Sequence, residues 1–306
     1  MTMTSAADEQ LLIAAADADA AAAASASGMR IAVLDRIEDH RAVRALIEEV
    51  WRTGETNPPV TADMLSAMRT AEGYVSGAFD EHGLAGACLG FFGPPAQRRL
   101  HSHIAGALPR ARGSGVGFAL KLHQRAWALR NGARTITWTF DPLIRRNAHF
   151  NLGKLGARVM SYRVDLYGTM DDDINRDDIT DRLLVGWRLL DPSVIEACAG
   201  RPDARTIADS AGTDAAVLEA ITAFPDATVA VRAGRDGYPV MDGIDTETVL
   251  VQIPDDIEAL RANDQAMAAA WRLAIRETLG RLLQEGATIR GFHRSGWYII
   301  DRAERP

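Results

Sequence analysis

Cysteine is nearly missing from this chain: Cys88 and Cys198 are the two in 306 residues. That excludes a disulfide framework and any metal cluster built on thiolates, and it fits a reducing compartment. No apolar run reaches the length that crosses a bilayer. Basic charge is also short, with a formal net charge of -7 and a pI near 5.5. Phosphate backbones need a basic face, so nucleic acid is excluded as the main partner. Neither Lys nor Arg occurs before Arg30, so the basic start of a secretory signal and the arginines of a transit peptide are absent. The expectation is a soluble cytoplasmic protein without membrane contact.

The length allows one large or two modest domains with ample core. Residues 1–28 form a tail rich in alanine, serine and aspartate. Its alanines favour helix locally, yet no amphipathic stripe exists to dock one, so the tail is expected to be disordered. Residues 29–34 are strand-like. Ile37–Trp51 is helical, with Val43, Leu46, Ile47, Val50 and Trp51 on one face. Asn57-Pro58-Pro59 breaks the chain, and Thr61 caps a short second helix. Residues 73–79 and 84–92 read as a hairpin around Asp80-Glu81-His82-Gly83.

One stretch then organises the rest. Residues 100–108 read as a strand and Pro109 stops it. Arg110-Ala111-Arg112-Gly113-Ser114-Gly115-Val116-Gly117 follows as a basic, glycine-rich turn opening a helix to about Arg130. Glycines let the backbone approach a ligand and adopt conformations closed to other residues. At a helix N-terminus their N–H groups, with the helix dipole, make an anion site. Arg110 and Arg112 add positive charge at its mouth. No Lys-Ser/Thr pair follows, which disfavours a nucleotide P-loop. The dinucleotide fingerprint needs Gly-x-Gly-x-x-Gly after the first strand of a βαβ unit, which this spacing and position do not match. These residues point to a pyrophosphate cradle. Strand Thr135–Phe140, loop Asp141-Pro142-Leu143, a helix over 147–155 and strands over 159–166 and 183–190 come next.

Pro109-x-x-Arg112-Gly113-x-Gly115-Val116-Gly117 resembles the Arg/Gln-x-x-Gly-x-Gly/Ala loop of the GNAT acyltransferase superfamily. The element order over residues 29–190 is similar to that of its fold. The stretch from Tyr167 to Leu183 resembles a bacterial subgroup of predicted acyltransferases. The resemblance implies an α/β (α+β) fold with a mixed, twisted central sheet flanked by helices. Its two parallel central strands, ending at Leu108 and Phe140, would splay apart. A pantetheine arm would pair with the open strand edge at Ala107 and Leu108, its pyrophosphate lying on Arg112, Gly113, Ser114, Gly115, Val116 and Gly117. The implied cosubstrate is acetyl-CoA or another acyl-CoA. The helix from Arg145, ending Lys154-Leu155-Gly156, resembles the one that contacts the CoA arm, here through Asn147, Phe150 and Lys154. Leu152 stands where many relatives carry a thiolate-protonating tyrosine.

The implied activity is transfer of an acetyl or other short acyl group to the amine of a small molecule or amino acid, by direct attack in a ternary complex. A non-catalytic acyl-CoA-binding regulator is the alternative. Transfer needs a base for the ammonium and an acid for the leaving thiolate. His101 and His103 share one strand face, and His103 is the first candidate base, Asp141 the second. A paired structural histidine and an Asp-Pro turn opener are the plainer readings of those residues. Tyr162 or Tyr167 would supply a phenol, or solvent would protonate the thiolate; a hydrogen-bonded core tyrosine is the plainer reading. The backbone N–H of Leu108 or a neighbour is the candidate oxyanion donor. Arg145 and Arg146 would meet phosphates or an acidic acyl group, or lie on a solvated face. Asp171-Asp172-Asp173 lacks the alternating spacing of a Mg²⁺ or Ca²⁺ site, so it is read as a solvated loop and no metal is expected.

Residues 191–306 lie outside this core. An irregular stretch precedes a strand over 248–254, a mostly helical region over 255–285 and strands near 289–292 and 296–300. The order echoes the central half of the first domain, with Asp255-Asp256-Ile257-Glu258 where the cradle carries arginine and glycine. A second, smaller α/β unit without a cofactor is expected there, extending the sheet, shaping the acceptor site or forming a homodimer contact.

Overall fold

The computed structural model describes residues 6–53, 58–168, 170, 172, 174–176, 178–200, 224–293 and 295–303. Asn57, Thr169, Asp171 and Asp173, on which the sequence reading drew, lie outside the described residues. Two units emerge from the chain's own contacts: Met1–Trp138 with Trp187–Ala199, and Thr139–Gly186 with Gly200–Pro306. Residues 139–186 thus group with the C-terminal region.

The first unit begins with a helix where a disordered tail was expected. Helix α1 (Ala6–Ala26) runs into β1 (Arg30–Val33), α2 (Ile37–Trp51), α3 (Ala62–Thr70), β2 (Tyr74–Asp80), β3 (Gly83–Phe92), β4 (Arg99–Ala107), α4 (Val116–Arg130) and β5 (Thr135–Phe140). The tail expectation is corrected over 6–26, and the physical reason is visible. Ala16 and Ala20, one turn apart, are buried, and small side chains allow close helix approach. Asp19 pairs with Arg125 at 3.2 Å, Asp17 with Arg130 and Glu9 with Arg134, all within this unit. Alanine contacts and ion pairs leave no apolar stripe in the sequence.

Helix α2 packs as its periodicity requires. Val43, Leu46 and Ile47 join Leu34, Leu65, Val75, Ala87, Leu89 and Leu108 in one core. Thr61 caps α3 by accepting from Met64 N. The chain continues through α5 (Arg145–Ala148), which passes into a π-turn (His149–Lys154), then β6 (Arg158–Arg163), β7 (Arg182–Arg188) and α6 (Pro192–Cys198). The sheet order is β1-β2-β3-β4-β5-β7-β6. It is mixed: β4 runs parallel to β5, while β1–β2, β2–β3, β3–β4 and β6–β7 are antiparallel.

In the second unit, β8 (Thr228–Ala233), β9 (Pro239–Met241), β10 (Thr248–Gln252), β11 (Thr288–His293) and β12 (Trp297–Asp301) form a sheet ordered β11-β12-β10-β8-β9. Strands β8 and β9 were not foreseen in the stretch read as irregular. Helices α7 (Ile257–Asn263), α8 (Gln265–Ile275) and α9 (Arg281–Gln284) follow β10, with a π-turn (Arg276–Gly280) joining the last two. Asp256 and Asp264 cap α7 and α8.

Candidate functional site

Strand β4 carries the geometry that matters. It pairs with β3 along its length with one irregularity: Leu89 faces Ile104, Gly90 faces Ser102, and His103 has no partner. This is a β-bulge, a device that re-aims a side chain and locally ends regular pairing. On the other edge, β4 pairs with β5 only from Arg99↔Thr135 to His101↔Thr137. Beyond His101, β4 continues to Ala107 without that neighbour.

Successive amides of a strand point to opposite edges. Leu108 N–H donates to Ala85 O at 2.8 Å, so it belongs to the β3 edge. Its expected role as oxyanion donor is corrected: the amide is spent on the ladder. The amides of Ala105 and Ala107 alternate with it and face the edge that β5 has left.

His101 and His103 do share a face. Their ring centroids lie 6.4 Å apart, and Phe91 lies 5.5 and 6.0 Å from the two rings. His101 Nδ1 is 3.1 Å from Thr137 Oγ1. The His103 side chain is exposed and has no hydrogen-bond partner among the described residues. Burial, with the positive charges of His103, Lys121 and Arg99, brings His101 down to about 4. Partial burial also lowers His103. Both imidazoles are therefore neutral at pH 7 and able to accept a proton.

The opposite face holds a feature the sequence reading missed. Lys121 of α4 is buried, and its Nζ donates to Ser102 Oγ at 2.8 Å and Gln124 Oε1 at 3.3 Å. It also lies 4.2 Å from the centroid of Trp138. It has no carboxylate partner among the described residues, and burial lowers its pKa. Ser102 is on β4 and Trp138 on β5, so this ammonium bridges the strands just past the last paired residues. No apolar contrast marked it in the sequence, because its i+3 and i+4 neighbours on α4, Gln124 and Arg125, are polar and buried as well.

The glycine-rich turn forms as its residues demand. Pro109–Ala111 is a single 3₁₀ turn and Arg112 is extended. Gly113 and Gly115 have φ values of 83° and 90°, a region that costs other residues strain. Gly115 occupies the N-cap of α4 and offers no side-chain cap. The Ser114 hydroxyl donates to Ala111 O and accepts from Val116 N, a local use of both. The amides of Gly113, Gly115 and Gly117 have no acceptor among the described residues. Arg112 is exposed and unpaired among them, whereas Arg110 is tied to Asp80 at 2.9 Å. The charge at the mouth is thus Arg112 alone.

The remaining expected residues belong to the second unit. Asp141 is buried beneath Arg272, which donates from Nη1 to its Oδ1 at 2.9 Å and from Nη2 to its Oδ2 at 2.8 Å. Arg261 also donates to Oδ2. Burial by itself would raise its pKa, but Arg272, Arg261 and Arg182 carry it far below the carboxylate range. So weak a base cannot take a proton from an ammonium, and Asp141 is withdrawn as a candidate base. Tyr162 is withdrawn as an acid. Its buried hydroxyl donates to Asp181 Oδ2 at 2.7 Å, and burial beside that carboxylate raises its pKa beyond that of an ordinary phenol. Tyr167 is exposed and lies 2.9 Å from Thr139 Oγ1 through its hydroxyl.

Asn147 and Phe150 are half-buried and Lys154 is exposed on the helix that ends as a π-turn. That wider turn shifts side-chain register, a feature invisible to a 3.6-residue reading. Arg145 and Arg146 pair with Asp255 and Glu258, so the acidic turn has its counterions here. Asp172 is buried rather than solvated, accepting from Ile174 N, Asn175 N and Asn175 Nδ2.

These observations define a class: a mixed-sheet α/β fold with an open strand edge beside a glycine-rich turn at a helix N-terminus. No family model and no curated protein matches the chain. Among solved structures, the chain resembles N-acetyltransferases of the GNAT superfamily over about half its length. One is the ribosomal-protein-S18-alanine N-acetyltransferase of Escherichia coli, at 13% identity and TM-score 0.43, covering 53% of this chain and 94% of that one. Another is a GNAT superfamily phosphinothricin acetyltransferase of Sinorhizobium meliloti in complex with AcCoA, at 19% and 0.43, covering 52% and 87%. A third is a Bacillus subtilis acetyltransferase in complex with CoA, at 19% and 0.41, covering 53% and 99%. At such values the likeness carries no chemistry, which rests on the residues described above.

Proposed function

We propose that this chain is an acyl-CoA-dependent N-acyltransferase that moves an acetyl or other short acyl group to the amine of a small molecule or amino acid. One observation carries the reading. Three amides without acceptors among the described residues, at Gly113, Gly115 and Gly117, open α4 after a strand whose outer edge has no partner among them beyond His101. Such a turn fits a pyrophosphate, and such an edge fits the amides of a pantetheine arm. When bound, the thioester supplies an activated acyl carbonyl.

The chain's own residues do the rest. Arg112 adds charge to the cradle, and Ala107 N–H takes the oxyanion role that Leu108 cannot fill. His103, neutral and without a hydrogen-bond partner among the described residues, accepts the proton of the attacking amine, and solvent protonates the thiolate that leaves as the C–S bond breaks. His101, anchored near Thr137, fixes the neighbouring ring. Asn147, Phe150 and Lys154 are proposed contacts of the CoA arm. A second reading, a non-catalytic acyl-CoA-binding regulator, is favoured by the structural roles of Asp141 and Tyr162, which leave few groups for acid–base work.

Calorimetric titration with acetyl-CoA, succinyl-CoA and free CoA tests the cradle against Gly115→Glu, which combines strain with negative charge. Saturable binding lost in the variant is the expected result. Turnover over a panel of amines then separates the readings. His103→Ala is expected to lower kcat by about 10²–10⁴-fold with acyl-CoA affinity intact. Binding without turnover selects the regulator, and no binding of any CoA species overturns both.

A further inference from the structure

The second unit contains a cavity of about 250 Å³ whose wall includes Arg176, Arg261, Arg272 and Arg276, with Ile179 and Leu273 as apolar wall. Asp178 is the one carboxylate in that lining. Behind the wall, Arg182, Arg261, Arg272 and Arg276 form ion pairs with Asp141, Asp178 and Asp181. Four guanidinium groups thus meet three carboxylates in these pairs among the described residues, and Asn175 joins Arg182 to a fourth, the buried Asp172. Buried charge is expensive unless it is paired.

Hydrogen-bond capacity is left over in the same wall. Arg272 is 1% exposed, and its Nε–H is buried away from the open space of the cavity, with no acceptor among the described residues. Its two other nitrogens are committed to Asp141 and Asp178. Arg276 gives Nε and Nη2 to Asp181 at 2.9 and 2.6 Å, and its Nη1 has no acceptor among the described residues. A guanidinium edge matches the two coplanar oxygens of a carboxylate. Ile179, Leu273, Ala268 and Ala269 give the cavity a short apolar side, which suits an aliphatic chain and offers nothing to a compact, wholly polar phosphate.

We propose that this cavity binds a small aliphatic carboxylate, its carboxyl group on the arginine wall and its chain on the alanine–leucine face of α8. The site lies wholly in the second unit and does not depend on the acyl-transfer reading.

The test is calorimetric titration of the full chain with butyrate, n-butylamine and inorganic phosphate. Two variants accompany it: Ala269→Phe, which fills an exposed position of the lining without removing a buried contact, and Arg276→Gln. Arg281→Gln, at an exposed side chain outside the lining, is the control. Circular dichroism melts confirm that each variant is folded. Butyrate is expected to bind saturably and to raise Tm. Each lining variant is expected to weaken it by at least about tenfold, with Arg281→Gln unchanged. Absence of saturable butyrate binding overturns the proposal. So does equal affinity for phosphate, or a butyrate affinity that a folded Ala269→Phe leaves intact.

Discussion

Apart from Arg125, which pairs with Asp19, the ionisable groups that burial affects in the first unit are held differently from those in the second. In the first, His101, His103, His123 and Lys121 have no carboxylate partners among the described residues, and burial lowers the pKa of each. In the second, Asp141, Asp178, Arg261 and Arg272 are buried as ions and bound to one another at close range. The contrast separates groups whose charged form burial disfavours from groups fixed in charge and used for structure. A candidate base belongs with the former. Asp141 has the right chemistry and the wrong surroundings.

The sharpest way to break this comparison is to remove the carboxylate at the centre of the second unit. Asp141→Asn removes one of the two anions that Arg261 and Arg272 share and leaves them Asp178, and a loss of about 3–5 kcal/mol is expected. Urea unfolding followed by tryptophan fluorescence measures it; a loss below 1 kcal/mol, on the scale of an exposed pair, would show the network to be dispensable.

Next in size is the docking of α1 in the first unit, where charge serves at the rim and alanine in the seam. Ala16→Leu overpacks a position that is 1% exposed, with an expected cost of about 1–3 kcal/mol. Hydrogen exchange of the α1 amides, faster in the variant, is the readout. Fast exchange in the parent chain would contradict the docked helix.

Acid titration sharpens the contrast with a smaller effect. In the fold His101 and His123 titrate near 4, against about 6.5 when unfolded. Between those values the unfolded chain takes up protons that the fold refuses, so stability falls as pH drops from 6.5 to 4. Asp141 is depressed in the fold; its contribution is present above the ordinary aspartate value and is lost only at lower pH. His101→Gln should therefore flatten the pH 4–6.5 slope, measured by Tm, while Asp141→Asn should lower stability without changing that slope. The smallest change is expected for Lys121→Met, near-isosteric and free of an ion pair: less than about 1.5 kcal/mol at pH 7. Because burial lowers Lys121 in the fold, the parent gains stability as pH rises toward 10.5, and the variant should lose that gain.

Much of the first unit was legible in the residues. Val43, Leu46 and Ile47 announced a helix face, Thr61 a cap, and Gly113 and Gly115 a turn with positive φ, because each of these depends on neighbours close in sequence. The bulge at His103, the π-turn at His149–Lys154 and the capture of Leu108 N–H by Ala85 were not legible. Each is a register decision between segments or an extra residue in a turn. The docking of α1 escaped notice because alanine carries no periodic contrast.

The sequence by itself determined the order of elements from β1 to β7, the glycine-rich turn at the start of α4 and the placing of two histidines on one strand face. Local sterics, helix capping and side-chain alternation decide those within a few residues. Only the tertiary structure decided which ionisable groups are chemically available. Asp141 meets Arg261 and Arg272 more than a hundred positions along the chain, and a side chain's proton affinity is set by the charges and burial that folding brings to it.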